Sequence, residues 1–89
     1  MPIKISEISI VPMKPQGSFL GFVGFVIDGI FYVGGVGIHS DAPKRSIRLV
    51  YPSKKLQNGQ EIPLFHPIGR AVGDFIQQAV IAEWERLIK

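Results

Sequence analysis

Hydrophobic and polar residues alternate along the first half of the chain, as they do in β-strands. Residues 3–11 alternate with a slip at Glu7, which predicts a strand with a β-bulge at that point. Two apolar runs, 19–27 and 30–38, flank the pair Asp28-Gly29. Such a pair between β-branched and aromatic runs is typical of a hairpin, because both central residues of a type I′ turn need positive φ. The pattern therefore predicts a central hairpin at Asp28-Gly29.

The second half of the chain changes period. Residues 46–51 alternate as a fourth strand, whereas apolar residues from about 70 to 88 recur at spacings of three and four, which predicts an α-helix. The run 19–27 is apolar on both faces and is predicted to be a central strand covered on each side. We therefore expect a single α+β domain over 1–89, with a small antiparallel sheet of about four strands and one C-terminal helix.

Composition limits the class of protein. The 89 residues are 46% hydrophobic and 19% charged, which excludes a disordered chain. No cysteine is present, so disulfides and thiolate sites are excluded, which is compatible with the cytoplasm where we expect the protein to work. The apolar stretch 19–38 contains Asp28 near its middle and six glycines, so it is not expected to span a membrane. We expect no membrane partner.

Positive charge is concentrated in one segment. The formal net charge is +3, yet residues 44–55 contain five basic residues and no acid. Such a cluster attracts polyanions or anionic membranes, although it can equally be a solvated face. The candidate nucleic-acid-binding residues, in decreasing order of expectation, are Lys54, Lys55, Lys44, Arg45 and Arg48.

These basic residues are predicted to lie in two different settings, a loop and a strand. Residues 53–65 are expected to be a loop with a turn at 58–59 and a short edge strand at 62–65, so Lys54 and Lys55 should project from a loop without acids. Arg48 has two alternatives. It joins the same surface if its strand face is exposed, or it pairs with Glu83 if the helix covers that face.

Other candidate chemistry is sparse. His39, Asp41 and His66 are the only candidates for a metal or acid–base site, but residues 39–43 are expected to form a turn and His66 to fix the corner before the helix. The glycines of 34–37 do not have the spacing of a phosphate-binding loop and more simply allow close packing against the sheet. We expect no metal, no cofactor, no catalytic residue and no small-molecule substrate, hence not an enzyme.

The apolar arc of the predicted helix is wide. One face of a small sheet needs less apolar surface than this helix offers, which favours a second subunit, although a partly exposed Ile81 alone would be ordinary. The residues expected at a homodimer interface are Val80, Ile81, Trp84 and Leu87.

Several motifs carry a family resemblance. They are Tyr51-Pro52-Ser53-Lys54-Lys55, then Asn58-Gly59, His66-Pro67-Ile68, and the helical segment 76–84 with Ala79-Val80 and Glu83-Trp84. With this spacing the chain resembles the stage V sporulation protein G (SpoVG) family, in layout over residues 3–88. It departs from the family pattern at Lys44-Arg45, where a small polar turn is usual, and at Arg48, where an apolar residue is usual.

The resemblance implies a small α+β fold, a homodimer, and sequence-tolerant binding of DNA and RNA in regulation, with septation and sporulation as the family's settings. It implies no catalytic activity. Two functions are therefore expected as alternatives. One is a nucleic-acid-binding regulator that contacts phosphates through the basic segment, and the other is a protein-interaction adaptor in division, septation or envelope regulation that does not bind nucleic acid.

Overall fold

The chain forms a four-stranded antiparallel sheet with a long helix on one side. A computed structural model describes residues 3–41 and 46–88. Its elements are β1 (Ile5–Gln16), β2 (Phe19–Ile27), β3 (Phe31–Asp41), β4 (Ser46–Val50), β5 (Ser53–Lys55), β6 (Glu61–Pro63) and α1 (Arg70–Ile88). The main sheet has the order β1-β2-β3-β4, and β5 pairs with β6 separately. The predicted α+β class, with a four-stranded antiparallel sheet and a C-terminal helix, is confirmed.

The central hairpin turns where it was predicted to turn. Asp28 and Gly29 have φ values of 54° and 70°, and the Ile30 amide donates a hydrogen bond to the Ile27 carbonyl at 3.0 Å. The Asp28 carboxylate also accepts a 2.8 Å hydrogen bond from the backbone amide of Lys4. This contact ties the beginning of the chain to the end of the hairpin.

The strand pairing shifts register at four places, two between β1 and β2 and two between β2 and β3. Two of these shifts lie at residues of positive φ. The register between β1 and β2 shifts between Ser6 and Ser9, and Glu7 has a φ of 50°, which confirms the predicted bulge. A second shift between β2 and β3 lies opposite Gly35, whose φ of 71° favours glycine. Bulges bend the bulged strand and locally strengthen the twist of a sheet.

The core lies between the helix and one face of the sheet. Its buried side chains come from the inward positions of three strands and from two helical positions, namely Val23, Phe25, Val33, Val36, Ile38, Ile47, Ile76 and Val80. The opposite face is not covered by any described residue, and Phe22 on it is 43% exposed. The prediction that β2 is covered on both sides is therefore wrong, because the one helix can cover only one face.

The segment after β4 is a hairpin, which corrects the predicted loop over 53–65. β5 and β6 pair in register from Ser53 opposite Pro63 to Lys55 opposite Glu61. The expected turn is present, with the Asn58 side chain accepting a 2.9 Å hydrogen bond from the Gln60 amide. The predicted edge strand at 62–65 begins and ends earlier, at Glu61 and Pro63.

Candidate nucleic-acid interface

Lys54 and Lys55 are exposed at neighbouring positions of β5. Side chains alternate along a strand, so these two point to opposite faces of the β5–β6 hairpin. Glu61 lies opposite Lys55, and its Oε1 accepts a 2.9 Å hydrogen bond from Ser53 Oγ. The expectation of a loop without acids is therefore wrong at Lys55, since pairing with β6 brings a carboxylate to the same face.

Arg48 is exposed on the sheet face that points away from the helix, where its Cα pairs with that of His39. Glu83 is instead bonded within its own helix, since it accepts a 3.1 Å hydrogen bond from Nε of Arg86. That bond lowers the pKa of the Glu83 carboxyl below its ordinary value. Of the two alternatives for Arg48, the structure shows the exposed one.

Lys44 and Arg45 lie outside the described residues. Among the residues that are described, the single ion pair joins Arg86 and Glu83, so Arg48, Lys54 and Lys55 are not engaged by described acids. The three described cations of the segment are thus all exposed, one on the sheet and two on the adjoining hairpin.

The uncovered face of the sheet was missed by the sequence analysis. It presents Phe22, Tyr32 and His39 above positions occupied by glycine on β2 and β3, and it continues to Arg48 on β4. Phe19 packs here too, edge-on to Phe22 with ring centroids 5.0 Å apart. One signal was available: β2 is apolar on both faces, but the sequence predicts only one helix to cover them.

The three candidates for acid–base or metal chemistry do not come together in one site. His39 Nδ1 lies 3.0 Å from Ser18 Oγ, and His66 Nδ1 donates to the carbonyl of Pro67 at 3.0 Å. Asp41 ends β3, so the turn predicted over 39–43 does not begin before it. Within 3–41 and 46–88 no group of three metal-ligating side chains comes together.

The four helix residues expected at a dimer interface differ in how far they are exposed. Val80 is 0% exposed and packs in the chain's own core, so it has no surface to offer a second copy. Ile81 and Trp84 are half-buried against that core, whereas Leu87 is 47% exposed. Three of the four expected interface residues therefore pack against the chain's own core.

Tyr51 joins the end of β4 to the core. Its ring packs against Phe65 at 5.8 Å between centroids, and its hydroxyl is buried without a hydrogen-bond partner among the described residues. Burial raises the pKa of this phenol above its ordinary value of 10.0. Because Tyr51 precedes the β5–β6 hairpin and Phe65 follows it, their contact fixes both ends of the hairpin to the core.

Comparison with known proteins agrees with the motifs in this segment. The family model for SpoVG matches residues 3–86. The chain belongs to the SpoVG family. The match includes every strand and nearly the whole helix, so membership rests on the complete arrangement rather than on the basic segment alone.

Relatives of this SpoVG-family chain occur in distant organisms, under names that assign them provisionally to septation. A SpoVG protein of Clostridium acetobutylicum is 25% identical, with 96% of this chain and 87% of the relative covered. One from Caldicellulosiruptor saccharolyticus is 24% identical over 97% and 96% of the two chains, and one from Archaeoglobus fulgidus is 26% identical over 92% and 94%. The structure adds that no helix in its described part is long and apolar enough to cross a membrane.

Proposed function

We propose that this SpoVG-family protein is a small nucleic-acid-binding regulator that holds DNA or RNA mainly through phosphate contacts. The observation that carries the proposal is the concentration of five basic residues and no acid within residues 44–55. The described cations of that segment are exposed and not neutralised by ion pairs with described residues. Clustered positive charge attracts a polyanion more strongly than the same charge spread evenly.

The hairpin suits contacts that do not depend on sequence. Lysine ammonium groups on flexible stems contact phosphate oxygens as point charges and do not read base edges. Because Lys54 and Lys55 lie on opposite faces of a narrow two-stranded ribbon, an edge-on approach of the ribbon lets both side chains reach one phosphate backbone. Arg48, on the adjoining strand, adds a planar donor that can bind a phosphate through two hydrogen bonds.

The proposal also covers the chemistry and the location of the protein. The protein acts without catalysis, cofactor or small-molecule substrate, and it works in the cytoplasm. The lack of cysteine fits a reducing compartment, and the binding chemistry needs only the protein's own cations.

Binding of a fluorescent duplex of arbitrary sequence at several salt concentrations tests this function. The wild-type affinity should fall steeply with salt, because bound phosphates release counterions. Replacing Lys54 and Lys55 by Ala should weaken binding on unrelated sequences and lower the magnitude of the log K against log salt slope by up to about 1.8. Unchanged affinity and slope in a folded double variant would show that the hairpin does not bind phosphate.

A matched control removes the same charge elsewhere. Lys4 and Lys14 are exposed and belong to the beginning of the chain and to β1, the edge of the sheet opposite β4. Their double Ala variant has the same net charge as the hairpin variant. It should keep more of the affinity if position, rather than total charge, decides binding.

The second candidate is a protein-interaction adaptor in septation or envelope regulation. It is favoured by the names of the relatives, which assign them to septation. Such a protein needs no affinity for nucleic acid. If neither duplex nor single strands are retained by the wild-type protein at low salt, the adaptor function replaces the regulator.

We also propose that this regulator works as a homodimer. The observation that supports it is the exposed apolar end of α1, where Leu87 and Ile88 are 47% and 64% exposed. A dimer would place two basic segments along one polyanion, which raises affinity through a second, intramolecular contact.

A further inference from the structure

The uncovered face of the main sheet has the form of a stacking platform. Most of its outward positions on β2 and β3 are aromatic or glycine, with Phe22 paired to Gly37, whereas Tyr32 pairs with Val26. None of the outward residues Phe22, Val26 and Tyr32 packs against the core. Tyr32 is 73% exposed and Phe22 is 43% exposed, so their rings are available to a ligand.

Glycine allows Tyr32 to lie across the sheet. A Cβ atom at Gly24, on the neighbouring strand, would lie 2.5 Å from the Tyr32 hydroxyl oxygen, and one at Gly34 would lie 2.8 Å from its Cε2. Any side chain at either position would push the ring away. The two glycines thus support one side of Tyr32 and leave most of the residue exposed.

A cleft opens beside this ring. Its volume is about 320 Å³, and its lining includes Tyr32 and Phe22, Ser9 and Val11 of β1, and the glycines Gly24 and Gly35. This volume lies near the lower limit of ligand pockets, which is about 300 Å³. A flat ring system matches a shallow cleft between two aromatic side chains better than an aliphatic chain does.

A cation lies at one end of the same face. Phe19 contacts Phe22 and is edge-on to His39 at 5.5 Å between ring centroids, and Arg48 is the cross-strand neighbour of His39. Ser18 Oγ holds the His39 ring from the other side at 3.0 Å. Aromatic rings therefore run from the cleft towards an exposed guanidinium, with the carboxylate of Asp41 beyond them at the end of β3.

From this arrangement we infer that the open face binds unpaired bases of a single-stranded nucleic acid. A base stacks on Tyr32 within the cleft, Phe22 contacts the same or the next base, and Arg48 binds the phosphate backbone. Bases in a duplex have both faces stacked, whereas bases of single strands offer a free π-face to aromatic side chains. The inference rests on the proposed function and specifies it, since it adds base contacts to the phosphate contacts of the β5–β6 hairpin.

The experiment compares three ligands of equal length, which are oligo-dT, oligo-U and an abasic DNA strand, with a duplex as reference. Binding is followed by fluorescence anisotropy. The wild-type protein should bind oligo-dT or oligo-U more tightly than the abasic strand, which has phosphates but no bases. The difference between oligo-dT and oligo-U shows which of these two strands the protein binds more tightly.

Tyr32→Ala should weaken binding to the preferred oligonucleotide roughly 5- to 150-fold, the range that one base–aromatic stack is worth. The change should spare the abasic strand and the duplex and should leave the salt slope unaltered. Tyr32→Phe should restore binding, because a phenyl ring stacks equally well. Since Tyr32 is mostly exposed, its replacement should not prevent folding, and circular dichroism verifies this.

Phe31→Ala is the matched control. Phe31 is a neighbouring aromatic residue with a similar exposure of 64%, and it pairs with Ile27, which packs on the core side of the sheet. It therefore belongs to the other face of β3, and its replacement should not affect any of the ligands.

The outcomes separate the two proposals. If the duplex binds but Tyr32→Ala changes nothing, the open-face inference is wrong and the phosphate-binding function remains. If the wild-type protein binds none of these ligands, both the open-face inference and the phosphate-binding function are wrong. If Tyr32→Ala or Phe22→Ala lowers the molecular mass in solution, a second copy covers this face, and the inference is likewise overturned.

Discussion

Glu61 lies opposite Lys55 across the β5–β6 hairpin, so the basic segment meets a carboxylate that is six residues distant in sequence. That carboxylate accepts a hydrogen bond from Ser53 Oγ and is exposed. It lowers the positive potential on one face of the hairpin while Lys54 projects from the other.

Replacing Glu61 by Gln should therefore strengthen the binding of nucleic acid. Gln keeps an acceptor for Ser53 but removes a negative charge that repels phosphate, an effect of about 0.5 kcal/mol at low salt, or roughly two- to threefold in affinity. Duplex binding at low and high salt measures it, with Glu85→Gln on the exposed side of the helix as the control. Equal or weaker binding by the Glu61 variant would show that phosphate does not approach this face.

Tyr51→Phe should stabilise the fold. The hydroxyl of Tyr51 is buried without a described partner, and an unsatisfied buried polar group costs about 1–3 kcal/mol. We expect the free energy of unfolding to rise by about 1 kcal/mol in urea denaturation, with no change for Tyr32→Phe on the surface. A less stable Tyr51 variant would show that the hydroxyl has a hydrogen-bond partner in solution.

The same residue predicts a loss of stability at high pH. Burial raises the pKa of Tyr51 in the folded state above 10.0, its ordinary value. The folded chain then holds this proton more tightly than the unfolded chain, so the contribution to stability is complete below pH 10 and is lost as the pH rises through the folded-state pKa. Urea denaturation at neutral and at alkaline pH should show this decline in the wild type and a smaller one in Tyr51→Phe. An identical decline in both proteins would assign it to other groups.

Gly73→Ala should stabilise the helix, whereas Gly24→Ala should destabilise the sheet. A Cβ at Gly73 would meet only Pro67 Cγ at an ordinary 3.5 Å, and alanine is better than glycine inside a helix by about 0.8–1 kcal/mol. A Cβ at Gly24 would lie 3.2 Å from the Val33 carbonyl oxygen and closer still to Tyr32. Thermal denaturation should show a higher Tm for Gly73→Ala and a lower Tm for Gly24→Ala than for the wild type. A less stable Gly73 variant would contradict the assigned packing of the helix.

Substitutions on the helix should separate folding from assembly. Leu87→Glu should convert a dimer into a folded monomer, because Leu87 is exposed at the end of α1. Val80→Glu should unfold the chain, since an unpaired charge buried in the core costs about 3–5 kcal/mol of stability. Light scattering and circular dichroism report the two effects, and a wild-type protein that is monomeric at micromolar concentration would exclude the dimer.

Local features of the fold follow from the sequence alone. The turn at Asp28-Gly29 and the bulge at Glu7 depend on the conformations that a few adjacent residues prefer, so their positions are correct. The helix is likewise predicted by its period to within a residue, at Arg70–Ile88. The motifs around Tyr51 and His66 indicated the family, because their spacing is a property of the chain itself.

Only the tertiary structure decided which surfaces are covered. Apolar periodicity shows that Val80 and Phe22 belong to apolar faces, but not whether the chain itself covers those faces. Packing of the helix on one face of the sheet places Val80 in the core and leaves Phe22, on the other face, exposed. Pairing between β5 and β6 likewise brought Glu61 opposite Lys55 and pointed the two lysines apart, because the register of the hairpin and the pleat of the strand decide which side chains share a face.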